Sequence, residues 1–316
     1  MRSRVCVISY VVLGMAFLFA TVSAHATFPG QNGLIAFSVD TGAGFQIYTV
    51  RPNGDALRQI TNVSGDALFA EWSPDGRQLV FELDTPESVS IAIMNSDGTG
   101  LVTMPPAPNG FEGQPAFTPD GKHIVFERFV FDPCCDDAIW VMDLDGNNRQ
   151  RIASAPAGAT DPNVSPDGKT VSFVGFNGEP TGAALFTSSI SGGDPLQLTP
   201  YKFDVAIKQD WAPDGRHLVF TKNGAEPKPG VSPNIVTVRP DGTHSRRLTH
   251  YEGGDISAFV GSYSPDGQWI VFRLEDHGQF GLFKMHTDGS HVRPILPLSD
   301  FRPRFIAWGP RPQRHN

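Results

Sequence analysis

Six charged residues stand just ahead of β-prone segments and could share one binding surface: Glu71, Asp161, Lys208, Asp210, Arg302 and Arg304. Asp66 and Glu112 occupy comparable positions. Acids fall in the first part of this series and bases towards its end. A rim carrying both signs could orient a zwitterionic or peptide ligand, because complementary charge sets register and partner choice. The alternative is a solvated rim with no ligand, since charged side chains sit on almost any surface. Either way these side chains are expected to be exposed and replaceable with little cost to folding.

A second chemical feature is Asp132-Pro133-Cys134-Cys135-Asp136-Asp137. Adjacent cysteines can close a vicinal disulfide whose small ring is strained, and strain makes such a bond easier to reduce. Free or intermolecular thiols, and a metal or redox site, are the other readings. Asp143 to Asn148 looks like part of a calcium loop. It lacks the closing Glu and flanking helices such a loop uses, and it falls in register with the hairpin turns below. No G-x-S-x-G elbow, H-E-x-x-H pair, Walker A motif or G-x-G-x-x-G fingerprint occurs. His123 and His217 each follow a Pro-Asp-Gly turn and read as repeat positions. The sequence therefore points to no catalytic residue, no metal and no cofactor.

What must position these groups is legible in the composition. The 33 Gly and 27 Pro make up 60 of 316 residues, well above the usual share. Past residue 26, no stretch free of both exceeds 12 residues. That excludes helical bundles and doubly wound α/β enzymes, which need repeated longer helices. A hydrophobic fraction of 40% with 23 Phe excludes disorder. A net charge of −8 argues against nucleic acid as a partner.

Five related motifs recur: Trp72-Ser73-Pro74-Asp75-Gly76, Phe117 to Gly121, Val164 to Gly168, Trp211 to Gly215 and Tyr263 to Gly267. Successive Asp residues lie 45, 47, 47 and 52 positions apart. Pro sets one turn dihedral, and Asp-Gly supplies a local hydrogen bond and a tolerated positive φ. Each motif runs into a short apolar segment ending in Phe: Phe81, Phe126, Phe173, Phe220 or Phe272. A further apolar run then meets Asn53-Gly54, Asp97-Gly98, Asp145-Gly146, Gly192-Gly193, Asp241-Gly242 or Asp288-Gly289, mostly strong hairpin signals. Each unit predicts a four-stranded antiparallel meander, the content of a propeller blade.

The count of units closes a ring. Asn32 to Phe37 supplies a second strand with no first, and Phe305 to Pro310 supplies a first strand with nothing after it. Joined, they complete a sixth motif. The sequence thus predicts an all-β fold: a six-bladed propeller of four-stranded blades, with a C-terminal strand completing blade 1. An open solenoid or a larger ring would leave the split motif without purpose. Closure also removes exposed strand edges.

These W-S-P-D-G units followed by apolar strands and Asp-Gly turns resemble the TolB-like, WD40-like β-propeller family over residues 31–310. The resemblance implies a propeller outside the cytoplasm that engages other molecules. The α/β domain that precedes the propeller in TolB itself is not expected here. Similar blades also precede hydrolase domains in prolyl-oligopeptidase-like peptidases.

Residues 1–26 read as a signal peptide: Arg2 and Arg4, an apolar run from Val5 to Val22, then small residues at Ala24 and Ala26. Residues 27–316 then form one propeller domain, periplasmic or secreted, with no membrane insertion, expected as a monomer. The favoured function is non-catalytic binding of a protein, peptide or cell-envelope component through the variable loops. The other class is a propeller enzyme, a glycan lyase or hydrolase with a polar site at the channel mouth. In a meander blade the Pro-Asp-Gly and Asp-Gly turns share one face. The other face takes the loops of varying length, where binding residues usually sit.

Overall fold

The computed structural model describes residues 28–131, 136–178, 182–225 and 228–312. The expected signal peptide and the Cys134-Cys135 pair lie outside the described residues. Blade 1 contains β1 (Asn32–Asp40), β2 (Phe45–Val50) and β3 (Arg58–Gln59). Blade 2 is β4 (Asp66–Trp72), β5 (Gln78–Asp84), β6 (Val89–Asn95) and β7 (Val102–Thr103). Blade 3 is β8 (Gly110–Phe117), β9 (His123–Val130), β10 (Asp136–Asp143) and β11 (Gln150–Ala153). Blade 4 is β12 (Ala159–Val164), β13 (Thr170–Phe176), β14 (Ala183–Ser189) and β15 (Leu196–Gln197). Blade 5 is β16 (Gln209–Trp211), β17 (Leu218–Lys222), β18 (Asn234–Val238) and β19 (Arg246–Arg247). Blade 6 is β20 (Ile256–Tyr263), β21 (Trp269–Asp276), β22 (Gln279–His286) and β23 (Arg293–Ser299). Finally β24 (Arg304–Pro310) returns to blade 1 and pairs antiparallel with β1, placing Trp308 opposite Ile35 and Ala307 opposite Ala36.

The protein is therefore a six-bladed propeller of four-stranded antiparallel sheets, closed by its C-terminal strand. Among the described residues the only helix is one 3₁₀ turn, Tyr201–Phe203.

Local chemistry explains the regularity. In the blade 2 turn, the Asp75 carboxylate accepts from Ser73 Oγ and from the Arg77 N–H, and the Gln78 N–H donates to Ser73 Oγ. Asp120, Asp167 and Asp266 make the same bonds in their blades. The Gly of each intact motif has φ between 67° and 72°, a conformation only Gly adopts without strain. Two residues past three of the fourth strands stands a Thr for a similar reason: Thr61, Thr199 and Thr249 accept the N–H of Ile47, Leu185 and Ile235 on the preceding strand.

The core repeats with the blades. Phe37, Phe81, Phe126, Phe173, Phe220 and Phe272 hold one position on the second strands, and all six are fully buried. Trp72, Phe117, Val164, Trp211 and Tyr263 end their inner strands, Trp308 holds the equivalent place within β24, and all six are buried between blades.

One repeated feature is not visible in the motifs. Five residues on or leading into inner strands have left-handed φ: Phe69, Gln114, Asp161, Lys208 and Phe305. Each lies three residues before its blade's inner-strand landmark, and β4, β8, β12 and the β1–β24 pair all break register nearby. Such β-bulges re-aim side chains and interrupt the ladder. They leave backbone N–H groups that the neighbouring blade must satisfy.

Candidate functional site

The residue after each repeated Phe lies at the contact with the next blade, and five of the six hydrogen bond across it. In blade 1, Ser38 Oγ donates to the Ala67 carbonyl of blade 2. Glu82 Oε2 accepts the Gln114 N–H of blade 3. Glu127 accepts from Thr160 Oγ1 of blade 4. Val174 of blade 4 cannot hydrogen bond through its side chain, and there Asp161 Oδ2 accepts the N–H groups of both Lys208 and Gln209 at 2.9 Å. Thr221 Oγ1 accepts the Val260 N–H of blade 6. At blade 6 the position is Arg273, which donates to the Pro303 carbonyl. Each blade is thus latched to the next.

Three latches use carboxylates, and burial pushes their pKa values up: Glu82 to about 7, Glu127 to about 8 and Asp161 to about 7. Neighbouring acids reinforce the burial effect, Asp137 and Glu82 at Glu127 and Asp210 at Asp161. Asp137 is itself raised to about 6, by burial and by Asp136.

Half of the expected rim is buried. Lys208 is 6% exposed, Asp161 7% and Asp210 3%, so the expectation that they are solvent-facing and freely replaceable is corrected. Lys208 Nζ reaches Glu71, an ion pair joining opposite blades of the ring. Burial lowers the Lys208 ammonium to about 8. Asp210 accepts from Asn163 Nδ2 and from the Trp211 and Tyr263 N–H groups. Asp66 accepts the Phe45 N–H. Glu112 is buried in ion pairs with Arg149 and Arg128. Asp161 and Glu82 accept N–H groups freed by bulges in the next blade, while Glu71 and Glu112 are taken up in ion pairs.

Phe28, Glu71, Asn163, Asp210 and Trp308 are among the residues around a space of about 20 Å³, roughly room for one water.

Arg302 and Arg304 have a different setting. They line a cavity of about 490 Å³ on the variable face, spanning blades 4, 5, 6 and 1. The structure brings Arg273 beside them, with Phe259, Phe305 and Lys208 in the same wall. Arg273 and Arg302 both contact the same oxygen of Glu275, at 2.7 and 3.0 Å. The Arg304 side chain makes no direct ion pair or hydrogen bond among the described residues, and its backbone pairs with Ser38 in the β1–β24 ladder. Each guanidinium lies over a ring: Arg273 on Phe259, Arg302 on Phe280, Arg304 on Phe45. Burial lowers Arg273 to about 10, with the Arg302 and Arg304 charges adding to the effect.

Arg273 and Glu275 lie within a strand, and sequence reasoning about strand-leading segments passed over them. The signal that finds Arg273 is the series after the repeated Phe, which reads Ser38, Glu82, Glu127, Val174, Thr221, Arg273. Across the same face, on blade 3, Phe111, Phe129 and Phe131 form an aromatic cluster with centroids 5.3 to 6.2 Å apart. Phe131 is 57% exposed. No group of three His, Cys, Asp or Glu side chains among the described residues is arranged to hold a metal ion.

Closed six-bladed geometry with repeated Pro-Asp-Gly turns defines a class, and comparison with known proteins identifies which. The TolB beta propeller domain matches residues 135–302, more than half of the chain, and the chain belongs to that family. An uncharacterized protein of Agrobacterium fabrum is 27% identical over 229 residues, covering 71% of this chain and 69% of that protein. A TolB homologue from Chlorobaculum tepidum is 26% identical over 230 residues, but the aligned part is only 45% of its length. Among solved structures, TolB from Acinetobacter baumannii superposes with a TM-score of 0.72 at 20% identity, over 88% of this chain and 67% of that one. At that identity the likeness speaks for the fold.

Proposed function

We propose that this protein is a non-catalytic binding propeller that captures a protein, peptide or cell-envelope component on its variable face. The observation that carries the reading is the 490 Å³ cavity with Arg273, Arg302 and Arg304 in its wall. The aromatic cluster of half-buried Phe111 and Phe129 with exposed Phe131 on the same face supports it. Arginine and aromatic side chains dominate binding energy where surfaces meet. The Pro-Asp-Gly face repeats one turn chemistry, and the cavity of about 440 Å³ beside its Asp120 and Asp167 turns has no arginine in its wall.

The reading includes a place of action outside the cytoplasm, periplasmic or secreted, after removal of residues 1–26. The apolar run behind Arg2 and Arg4 and the family resemblance support it. Among the described residues no helix is long and apolar enough to cross a membrane. N-terminal sequencing of protein from the envelope fraction tests the location, and a mature chain that retains Met1 overturns it.

The binding reading is tested by crosslinking the mature protein in envelope extract and mapping the sites. Crosslinks at the 250–260 and 300–305 loops, lost in an Arg302→Glu/Arg304→Glu variant that still folds, are expected. Crosslinks confined to the turns at Asp75, Asp120 and Asp167, with the variant binding normally, refute it.

A further inference from the structure

We infer that the arginine cavity is a carboxylate-binding site, built to take an acidic side chain or the free C-terminus of a peptide segment. The inference rests on the binding reading above and names the chemistry of the group bound.

Three guanidiniums converge on this cavity, and two of them, Arg273 and Arg302, share one carboxylate, Glu275. Both contacts use the same Glu275 oxygen, so the pair is a shared single acceptor and not two forked pairs. The Nε atoms of Arg273 and Arg302 are buried with no hydrogen-bond partner. A buried N–H without an acceptor is costly, more so on a charged group. Arg304 adds a third cation, which lies over the ring of Phe45 and feels the Glu275 and Asp40 charges without a direct ion pair to either among the described residues.

The surrounding groups have partners of their own. Asp204 is paired with Lys228 at 2.8 Å, and Lys208 with Glu71. The local balance of Arg273, Arg302, Arg304 and Glu275 therefore leaves a cationic excess around a concave site. Guanidinium forks match carboxylate geometry, and rings beneath them fix their planes before a ligand arrives. A volume of about 490 Å³ lies within the range of ordinary small-ligand pockets and admits a peptide end. Phe259 and Phe305 in the wall supply apolar surface beside the charge, as an amino-acid side chain requires.

The test uses isothermal titration of the mature protein in low salt. The probes are acetyl-Gly-Gly-Glu-Glu with a free C-terminus, its amidated Gln analogue, and inorganic phosphate. The acidic peptide is expected to bind at least tenfold more tightly than the Gln analogue, weakening steeply with added salt. Arg304→Gln and Arg302→Gln are each expected to weaken it at least tenfold with melting temperature almost unchanged. Arg273→Gln is avoided as the primary variant because that side chain is buried in the blade 6 to blade 1 contact.

Equal binding of the two peptides overturns the inference. So does phosphate binding as tightly as the acidic peptide, which marks a general anion site. So do variants that bind like the parent. A partner crosslinked to the variable face while the acidic peptide fails to bind sinks the carboxylate assignment alone. Crosslinks on the opposite face sink the functional reading.

Discussion

Replacing Trp308 by Ala tests whether the returning strand is what holds the ring closed. Trp308 lies opposite Ile35 in the β1–β24 ladder, is 3% exposed, and packs with Ile35, Phe37, Val271 and Ile306. Its indole Nε1 has no hydrogen-bond partner among the described residues, so truncation loses packing and leaves no orphaned acceptor. An aromatic side chain buries about 150–250 Å², worth ~4–6 kcal/mol at 25 cal/mol per Å². Measured large-to-small core substitutions of Trp cost about 3–5 kcal/mol. For a chain of this size each kcal/mol lowers the melting temperature by roughly 2–4 °C. The expected fall is therefore about 6–20 °C, read by circular dichroism. Val102→Ala on the outer edge, at 61% exposed, serves as control and should stay within ~0.5 kcal/mol. Removing residues 304–316 should do more. It bares the β1 edge, strips Trp72 Nε1 of the Ala307 carbonyl, and removes the Gly309 backbone against which the Trp72 ring packs. A truncated chain melting within a few degrees of the parent refutes closure as the source of stability.

Other outcomes follow from the same contacts. Glu82, Glu127 and Asp161 have folded-state pKa values above the ordinary carboxylate range, so the folded protein retains protons that the unfolded chain releases. Their contribution is fully present below about pH 4 and is lost as pH rises through about 7–8. Melting temperature should therefore rise on acidification from pH 8 to 5, and Glu127→Gln should flatten that slope; a slope of opposite sign, or one unchanged in the variant, contradicts the latch account. Lys208→Met should destabilise by about 3–5 kcal/mol by stranding Glu71, whereas Lys208→Met with Glu71→Leu should recover most of the loss; a denaturant double-mutant cycle reads the coupling. Gly168→Ala, with open space around its Cβ, should cost only ~1–2 kcal/mol for its left-handed φ. Gly76→Ala should cost distinctly more, since its Cβ would meet the Pro310 carbonyl oxygen at 2.2 Å; equal melting temperatures for the two would discount that contact.

Much of the architecture was legible because it depends on neighbours in sequence. Ser73, Pro74, Asp75 and Gly76 make their own turn, and the spacing of the five intact motifs counts the blades. Asn32–Gly33 and Trp308–Gly309 carry two halves of the missing motif, so closure could be read from the chain ends. Aromatic register followed from strand period, and Trp72, Trp211 and Trp308 are buried where the repeat puts them.

Charge was a different matter. Glu71 and Lys208 stand 137 positions apart and meet only because blades 2 and 5 face each other across the ring. Nothing local marks Phe69, Gln114 or Asp161 as bulge residues, so the N–H groups they free, and the acids consumed in satisfying them, were invisible in the motifs. The six rim residues therefore divide in three dimensions. Glu71, Asp161, Lys208 and Asp210 belong to the scaffold, while Arg302 and Arg304 join Arg273 around a cavity. Turn chemistry is decided within a few residues, but a charge is free or occupied according to what a neighbouring blade brings beside it, and only the closed ring decides that.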